Sequence, residues 1–279
     1  MTFSEPLSQY EEILKNAIRT SMKESGAKLA KTFQTLLIEI LTLYMILPRK
    51  INFTQMARYG KHGEQTYRQN FNRKKKDCID WLLLNLSLAR RVLDMDGLLA
   101  IAIDPCYISK AGKKTPHIGR FWSGCAGAVK HGLEIMGIGL LDVANNKCMM
   151  LRAHQTIGNS ALKMRNKTLV EYYISVMKRY SKKLLSITDI VVADAFFSTS
   201  TFEKGISELV FYLVSRFRNN ACLHYIPKRD KRRGRPRVKG EKIDLANLNL
   251  SCTEELHIDG LDGKAYILEV YVKALKKRV

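Results

Sequence analysis

The chain has 279 residues, 46% of them hydrophobic, and carries 47 Lys and Arg against 26 Asp and Glu, a formal net charge of +21. This composition is typical of a globular protein with one large domain or two ordinary ones, and the charge indicates a polyanionic partner. The excess is concentrated, since residues 49–78 hold nine basic and two acidic side chains and residues 228–240 hold eight and one. One such stretch is equally well explained as a solvated face or a flexible loop, but two of them beside apolar strands favour a surface for that partner.

The sequence argues against export and against a membrane anchor. The longest apolar stretch, "LLIEILTLYMIL", contains a Glu and is too short to span a bilayer, and the N-terminus lacks a basic and then apolar signal pattern. Six cysteines include no C-x-x-C pair and several lie in apolar runs, which favours buried free thiols over zinc or disulfides. A reducing cytoplasm is therefore the predicted location.

Residues 1–97 have helical patterns and predict an all-helical N-terminal domain. Apolar residues recur there at spacings of three and four in three stretches that contain almost no Pro or Gly. Between the last two stretches, a short helix starting near Thr54, a turn over residues 60–63 and a second helix would form a DNA-binding helix-turn-helix. A helical hairpin with a basic flank is an equal alternative. The second helix would carry Gln65, Tyr67, Arg68, Gln69 and Arg73.

From Leu98 onward, strand patterns replace the helical ones. The apolar runs "LLAIAID" and "DIVVAD" predict buried strands, and the turn "ANNK" joins two further strands as a hairpin. A helix with a capping box at Thr168 follows the hairpin, and a short helix capped by Ser200 precedes a fifth strand, "FYLVSRF". This order predicts an α/β fold in residues 98–279, with an RNase H-like mixed sheet, flanking helices and a basic, β-rich insertion from about residue 218.

Two aspartates at the ends of these apolar runs suggest a metal site. Phosphoryl transfer on DNA uses two divalent ions roughly 4 Å apart, held mainly by carboxylates. The first and fourth strands would be neighbours in the predicted sheet, so Asp104 and Asp194 would meet at its carboxyl edge, where α/β sheets gather ligands. Either aspartate alone is equally well explained as a turn former or a helix cap. The pair, in this order of elements, favours metal ligands.

Four segments resemble, in order, the catalytic domain of bacterial insertion-sequence transposases of the DDE class: "IAIDPCYISKAGKKT", "GRFWSGCAGAVKHGLEIMGIGLLDV", "VVADAFFST" and "FYLVSRFR". The resemblance extends from about Leu98 to the end of the chain. It implies an RNase H-like fold, dependence on Mg²⁺ or Mn²⁺, and cut-and-join chemistry on double-stranded DNA at transposon ends and targets. It also implies that Asp104 and Asp194 are the first and second catalytic aspartates.

The third catalytic residue of that family, a glutamate on a helix beyond the last core strand, has no match in this sequence. Glu254 and Glu255 fall in the insertion, and Glu269 lies in an alternating, strand-like run. We therefore expect a transposase truncated before its last catalytic residue and inactive or nearly so. The alternative is a noncatalytic DNA-binding fragment that occupies transposon ends and represses transposition. A host RNase H-type nuclease or resolvase is disfavoured by the basic insertion.

The predicted DNA contacts lie in basic segments. Arg-Gly-Arg-Pro at residues 233–236 matches the core of the AT-hook pattern, in which two arginines lie along a narrow minor groove. The alternative to an AT-hook at residues 233–236 is a loop that binds phosphates without sequence preference. The lysines that follow Asp104 are equally well explained as solvated loop residues. A homodimer is one option for the oligomeric state, which the sequence leaves open. The predicted DNA-binding residues are Arg68, Arg73, Lys74, Lys75, Lys113, Lys114, Arg232, Arg233, Arg235 and Arg237.

Two residue pairs in the segment "GRFWSGCAGAVKHGLEIMGIGLLDV" have either a functional or a purely structural explanation. His131 and Glu134 are three apart on a predicted strand and so point to opposite faces, which favours structural roles over metal binding. Phe121 and Trp122 are able to stack on a base, but aromatic residues beside strands usually pack in a core. Packing is therefore the favoured interpretation of both aromatic residues.

Overall fold

The computed structural model describes residues 4–26, 28–48, 51–72, 79–112, 115–227, 236–258 and 263–279. The N-terminal part is helical, with α1 (Ser4–Ser25), α2 (Lys31–Ile46), α3 (Phe53–Tyr59), α4 (Glu64–Asn72) and α5 (Trp81–Ala89). Strands and helices follow: β1 (Leu99–Ser109), β2 (Gly119–Ser123), β3 (Ala128–Asp142), β4 (Lys147–Gln155), α6 (Asn159–Met164), α7 (Leu169–Leu185), β5 (Ile190–Ala193), α8 (Ser200–Ser207) and β6 (Tyr212–Ser215). The last elements are β7 (Leu223–Tyr225), β8 (Glu254–Leu256), β9 (Ala265–Ile267), β10 (Val270–Val272) and β11 (Lys277–Arg278).

Helix α2 packs on two sides, because its apolar residues cover more than one face. Phe33 and Leu37 share one cluster with Ile18 of α1. On the other side, α2 contributes Leu36, Ile40 and Leu43 to a second cluster, which α3 and α4 complete with Met56 and Tyr67. The short helix near Thr54, the turn over residues 60–63 and the second helix are therefore present, as part of a three-helix unit with its own small core.

Helix α5 packs in the core of the main sheet, although the sequence assigned it to the helical domain of residues 1–97. Leu82, Leu83 and Leu86 belong to the same hydrophobic cluster as the residues of the central strands. The amide of Asn85 donates to the Leu151 carbonyl of β4 at 2.9 Å. Leu84 of the same helix belongs to the cluster formed with α1 and α2, so α5 packs against both the helical unit and the sheet.

The main sheet is mixed, with strand order β2-β3-β1-β5-β6 and β4 also paired to β3. Strands β1, β5 and β6 are parallel, whereas β1 and β4 run antiparallel to β3. Alternate residues of β1, including Ile101 and Ile103, are buried in the cluster to which α7 contributes Val176 and Met177. Because side chains alternate between faces, Asp104 lies on the opposite face of the sheet. The predicted α/β architecture is confirmed.

Four details differ from the sequence predictions. Strand β1 continues beyond Asp104 to Ser109, and β2 was not predicted. The cap of α8 is Thr199, whose hydroxyl accepts the Phe202 N–H, and not Ser200, which is the first helical residue. The described cysteines are free, as expected, but the prediction of burial is wrong for four that lie in turns or on exposed strand positions: Cys106, Cys125, Cys148 and Cys252. The capping box at Thr168 is confirmed.

The region after residue 218 forms small β units. Strands β7, β10 and β11 make a three-stranded sheet, and β8 pairs with β9. Val270 and Val272 of β10 pack with Ile243 in a separate core. Lys277 forms an ion pair with Glu203 of α8, which ties this small sheet to the main domain. Within the described ranges, no helix is long and apolar enough to cross a membrane.

Candidate active site

The parallel pairing of β1 and β5 places two aspartates side by side. Ile103 is in register with Ala193 at the end of this pairing, so Asp104 and Asp194 are the next residues on the two strands. Neighbouring strands lie about 4.8 Å apart, and residues in register on parallel strands point to the same face. Both carboxylates therefore lie together at the carboxyl edge of the parallel strands.

The two carboxylates repel each other. Burial raises the pKa of Asp104, and the neighbouring Asp194 carboxylate raises it further. Asp194 also caps the short 3₁₀ turn that follows it, because its Oδ1 accepts the Phe196 N–H at 3.1 Å. A carboxylate has about four lone-pair positions, so this bond leaves acceptor capacity on Asp194 for a cation. The cap and the metal ligand are thus compatible roles for one side chain.

Hydrogen bonds attach the turn after Asp194 to the end of β6. The Ser215 hydroxyl donates to the Asp194 carbonyl at 2.8 Å, and the Ser198 and Ser215 hydroxyls bond to each other at 2.9 Å. Nε of Arg218 donates to the Ala195 carbonyl at 3.2 Å. The backbone of the turn is therefore held at several points, which fixes where the Asp194 carboxylate lies.

Aromatic packing holds the same turn from the side of the core. The ring of Phe197 is fully buried, with its centroid 4.6 Å from that of Phe202 and 5.6 Å from that of Tyr173. The hydroxyl of Tyr173 donates to Glu134, a buried glutamate on β3. Glu134 thus has the structural role that the sequence favoured, whereas His131 is exposed.

An open depression of about 540 Å³ adjoins Asp194. The register of Ala193 with Ser215 makes Arg216 the residue next to Asp194 across β5 and β6. Arg216 and Arg218 both line the depression and are exposed. These arginines are not among the site residues predicted from the sequence, although Arg216 follows strand β6 as directly as Asp194 follows β5. Their guanidinium groups place positive charge beside the carboxylates, where a phosphate would bind.

The aspartate pair fits a divalent cation, since hard oxygen ligands at one edge of a sheet are what Mg²⁺ and Mn²⁺ prefer. In the described part of the chain, no third Asp, Glu, His or Cys joins them in a group that could hold a metal. Glu254 and Glu255 lie in β8, where Glu255 pairs with Lys264 at 3.3 Å, and Glu269 is exposed just before β10.

The residues predicted to bind DNA are described only in part. Arg68 is exposed on α4, forms an ion pair with Glu64 and has its guanidinium carbon 5.0 Å from the Phe53 ring centroid. Arg237 is exposed in an irregular segment. The others, Arg73, Lys74, Lys75, Lys113, Lys114, Arg232, Arg233 and Arg235, lie outside the described residues.

The packing prediction holds for only one of the two aromatic residues on β2. Phe121 is buried, but Trp122 is 60% exposed. The reason is the alternation of side chains along a strand, which turns one residue toward the core and the next toward solvent.

The mixed sheet and the aspartate pair at its edge define an RNase H-like nuclease fold. A protein family described as DDE superfamily endonuclease matches residues 27–255. This match covers more than half of the chain, and the chain therefore belongs to the DDE superfamily endonucleases. It includes α2 to α5 as well as the sheet, and it indicates DNA cleavage of the nuclease or transposase type. A comparison with curated proteins returns no match.

Proposed function

We propose that this chain is a metal-dependent transposase that acts on double-stranded DNA at the ends of a bacterial insertion sequence. The observation that carries the proposal is the position of Asp104 and Asp194 in register on neighbouring parallel strands, where both would hold Mg²⁺ or Mn²⁺. A bound divalent ion would polarise the scissile phosphate and favour the deprotonated nucleophile. The cytoplasm is the proposed location of this reaction.

The chain's own residues would position the DNA backbone. The Phe196 N–H and the Ser215 hydroxyl fix Asp194, so the carboxylate needs little reorganisation when a cation and a phosphate arrive. Arg216 and Arg218 line the adjoining depression and would bind nonbridging phosphate oxygens. The carboxylate pair and the arginines together would thus orient one phosphodiester at the edge of the sheet.

We infer further that this 279-residue polypeptide cleaves DNA weakly or not at all. Two-ion phosphoryl transfer uses more carboxylates than the two that meet among the described residues. Such a protein would still occupy transposon ends, and it would repress transposition by excluding the active enzyme. If purified protein with Mg²⁺ cut transposon-end DNA efficiently and Asp104→Asn removed the cutting, this inference of weak activity would be wrong.

Replacing either aspartate by asparagine is expected to weaken Mn²⁺ binding at least about tenfold, because even the hydrogen-bonding partners of metal ligands contribute that much. Isothermal titration of Mn²⁺ into Asp104→Asn and Asp194→Asn measures this loss. Asp189→Asn is the matched control, since this exposed aspartate lies at the opposite end of β5. Equal Mn²⁺ affinity in all the variants and the unaltered protein would exclude the proposed site.

We also propose that α3 and α4 form a helix-turn-helix that packs on α2 and binds the terminal DNA sequence. The Glu39 carboxylate of α2 accepts the Lys61 N–H at 2.6 Å, bonds to His62 Nδ1 at 2.8 Å and accepts the Tyr67 hydroxyl. Burial opposes ionisation of Glu39, but these bonds outweigh it and lower its pKa. One half-buried carboxylate thus links α2, the turn and α4.

The solvent face of α4 has side chains suited to base contacts. Gln65, Arg68 and Gln69 are exposed and share a face through their spacing of three and four, whereas Tyr67 is fully buried. Tyr67, which the second helix also carries, packs in the core of the three-helix unit and is not available for a DNA contact. A helix of this length, roughly 13 Å, fits the major groove, where Gln pairs with adenine and Arg with guanine.

The double variant Gln65→Ala, Gln69→Ala is expected to lose about tenfold in affinity for a duplex that the unaltered protein selects from a random pool, because amide contacts to adenine discriminate bases. Affinity for unselected duplex should stay unchanged. Fluorescence anisotropy measures both, with Gln9→Ala on the exposed face of α1 as the control. Equal losses on selected and unselected DNA would show that α4 does not determine sequence preference.

A further inference from the structure

The hairpin of β2 and β3 presents a tryptophan to solvent. Trp122 is 60% exposed, and its cross-strand neighbour Val129 is also exposed. On the other face of the same hairpin, Phe121 is buried. Exposed indole surface beside an exposed valine is unfavourable in water, so this pair is suited to a ligand that covers it.

Trp122 lies on the same face of the sheet as the aspartates. Asp104 is in register with Gly137 on β3, and Trp122 is in register with Val129, which is eight residues earlier on the same strand. Residues separated by an even number along a strand share a face. At about 3.4 Å per residue, the indole is roughly 27 Å from the carboxylates along β3.

All Lys, Arg, Asp and Glu positions between the first aspartate and the middle of β3 are basic. Residues 105–133 contain five Lys and Arg and no Asp or Glu. Lys110, Arg120 and Lys130 are exposed among the described residues of this segment. Arg120 is in register with His131 and shares the face of Trp122, two residues away. Such a positively charged surface attracts a polyanion and does not favour an uncharged, apolar partner.

We infer that the β2–β3 hairpin binds the DNA that flanks the cleavage site and that Trp122 stacks on an unpaired base of it. The inference rests on the proposed DNA-cleaving function and names a feature of its substrate. Roughly 27 Å corresponds to about eight nucleotides of a B-form strand, so one DNA molecule reaches both the carboxylates and the indole.

An unpaired base is the favoured ligand because of how aromatic side chains bind nucleic acids. In a continuous duplex both faces of each base are covered by neighbouring base pairs, whereas a base in a single-stranded extension offers a free face for stacking. The exposed guanidinium group of Arg120, on the same face as Trp122, would bind a phosphate beside that base. The hairpin thus supplies both stacking and charge.

The test compares blunt duplex DNA with the same duplex carrying a short single-stranded extension, in EDTA so that the aspartate site does not contribute. Trp122→Ala is expected to weaken binding of the extended duplex about tenfold and to leave binding of the blunt duplex unchanged, as removal of one stacking aromatic residue predicts. Trp122→Phe should restore most of the affinity. Tyr212→Ala removes another exposed aromatic ring, at the start of β6, and should change neither affinity.

Intrinsic fluorescence gives a second readout, because the chain has two tryptophans and the other, Trp81, is only partly exposed. The extended duplex should quench the emission that Trp122→Phe removes. An unchanged affinity of Trp122→Ala for the extended duplex, or an unquenched Trp122, would overturn the inference. Conversion of a dimer to a monomer by Trp122→Ala in sedimentation would also overturn it, in favour of a second copy of the chain. None of these results depends on Mn²⁺ binding, so a failure of the proposed stacking on Trp122 is distinguishable from a failure of the proposed metal site.

Discussion

Replacing Phe197 by Ala is expected to lower the free energy of unfolding by about 3–5 kcal/mol, the range for a buried Phe truncated in a core. The ring is fully buried and packs between Phe202 and Tyr173. Its removal leaves a cavity directly beneath the turn that follows Asp194. Urea denaturation followed by circular dichroism measures the loss, and Mn²⁺ titration of the folded variant should show weaker binding because the turn is less well fixed.

The neighbouring ring is the matched control for this experiment. Phe196 is 39% exposed and contacts Phe197 and Tyr173 only along one side. Truncation of Phe196 to Ala removes less buried surface, so the expected loss is about 1 kcal/mol. If the two variants lost the same stability, the buried aromatic cluster would not be what holds the turn. The pair of phenylalanines after Asp194 would then need another explanation.

The sequence predicts best those elements whose pattern is local. The apolar runs that end in Asp104 and Asp194 form the neighbouring strands β1 and β5, since short runs rich in Ile and Val and bounded by turn residues are typical of central strands. The capping box at Thr168 is predicted for a similar reason, since both of its hydrogen bonds lie within four residues. Local chemistry alone decides these features.

Strand β1 shows why some boundaries are not predictable. The apolar run ends at Asp104, and the next residue is Pro105, which lacks the backbone donor that a central strand needs. In the structure the parallel pairing with β5 ends at Ile103, so one edge of β1 has no β5 partner from there on and tolerates proline. Pairing with β3 continues to Ser109. Only the length of the neighbouring strand reveals this.

The candidate site likewise contains residues that local patterns predict and residues that only the pairing of strands reveals. The aspartates follow from apolar patterns, but Arg216 belongs to the site only because β6 pairs with β5 in one particular register. The exposure of Trp122 depends on which face of β2 meets the core, and five residues of strand allow either choice. Helix α5 is apolar around most of its circumference and contributes to two cores, and its sequence does not show which residue joins which core. These features depend on tertiary pairing, which periodicity does not encode.

A glycine in the turn of the proposed helix-turn-helix is required by close packing. A Cβ added to Gly60 would overlap the Tyr67 hydroxyl and lie 2.7 Å from the Met56 carbonyl oxygen and 2.8 Å from Glu39 Oε1. Carbon atoms do not approach these oxygens so closely without displacing them. The Glu39 carboxylate and the Tyr67 hydroxyl are partners in the same hydrogen bond, so any displacement disturbs the link between the helices.

Gly60→Ala is therefore expected to destabilise the three-helix unit by about 3 kcal/mol, the upper range for overpacking, because a partly buried hydrogen-bonded pair must also move. Gly63→Ala is the matched control in the same turn, since a Cβ there meets no atom within 4 Å. Hydrogen exchange of the α3 and α4 amides measures local stability and should be faster in Gly60→Ala alone. Selected duplex should bind this variant more weakly, while Mn²⁺ binding at the aspartates is unchanged. Equal exchange rates in the two variants would show that the turn is not fixed by Glu39.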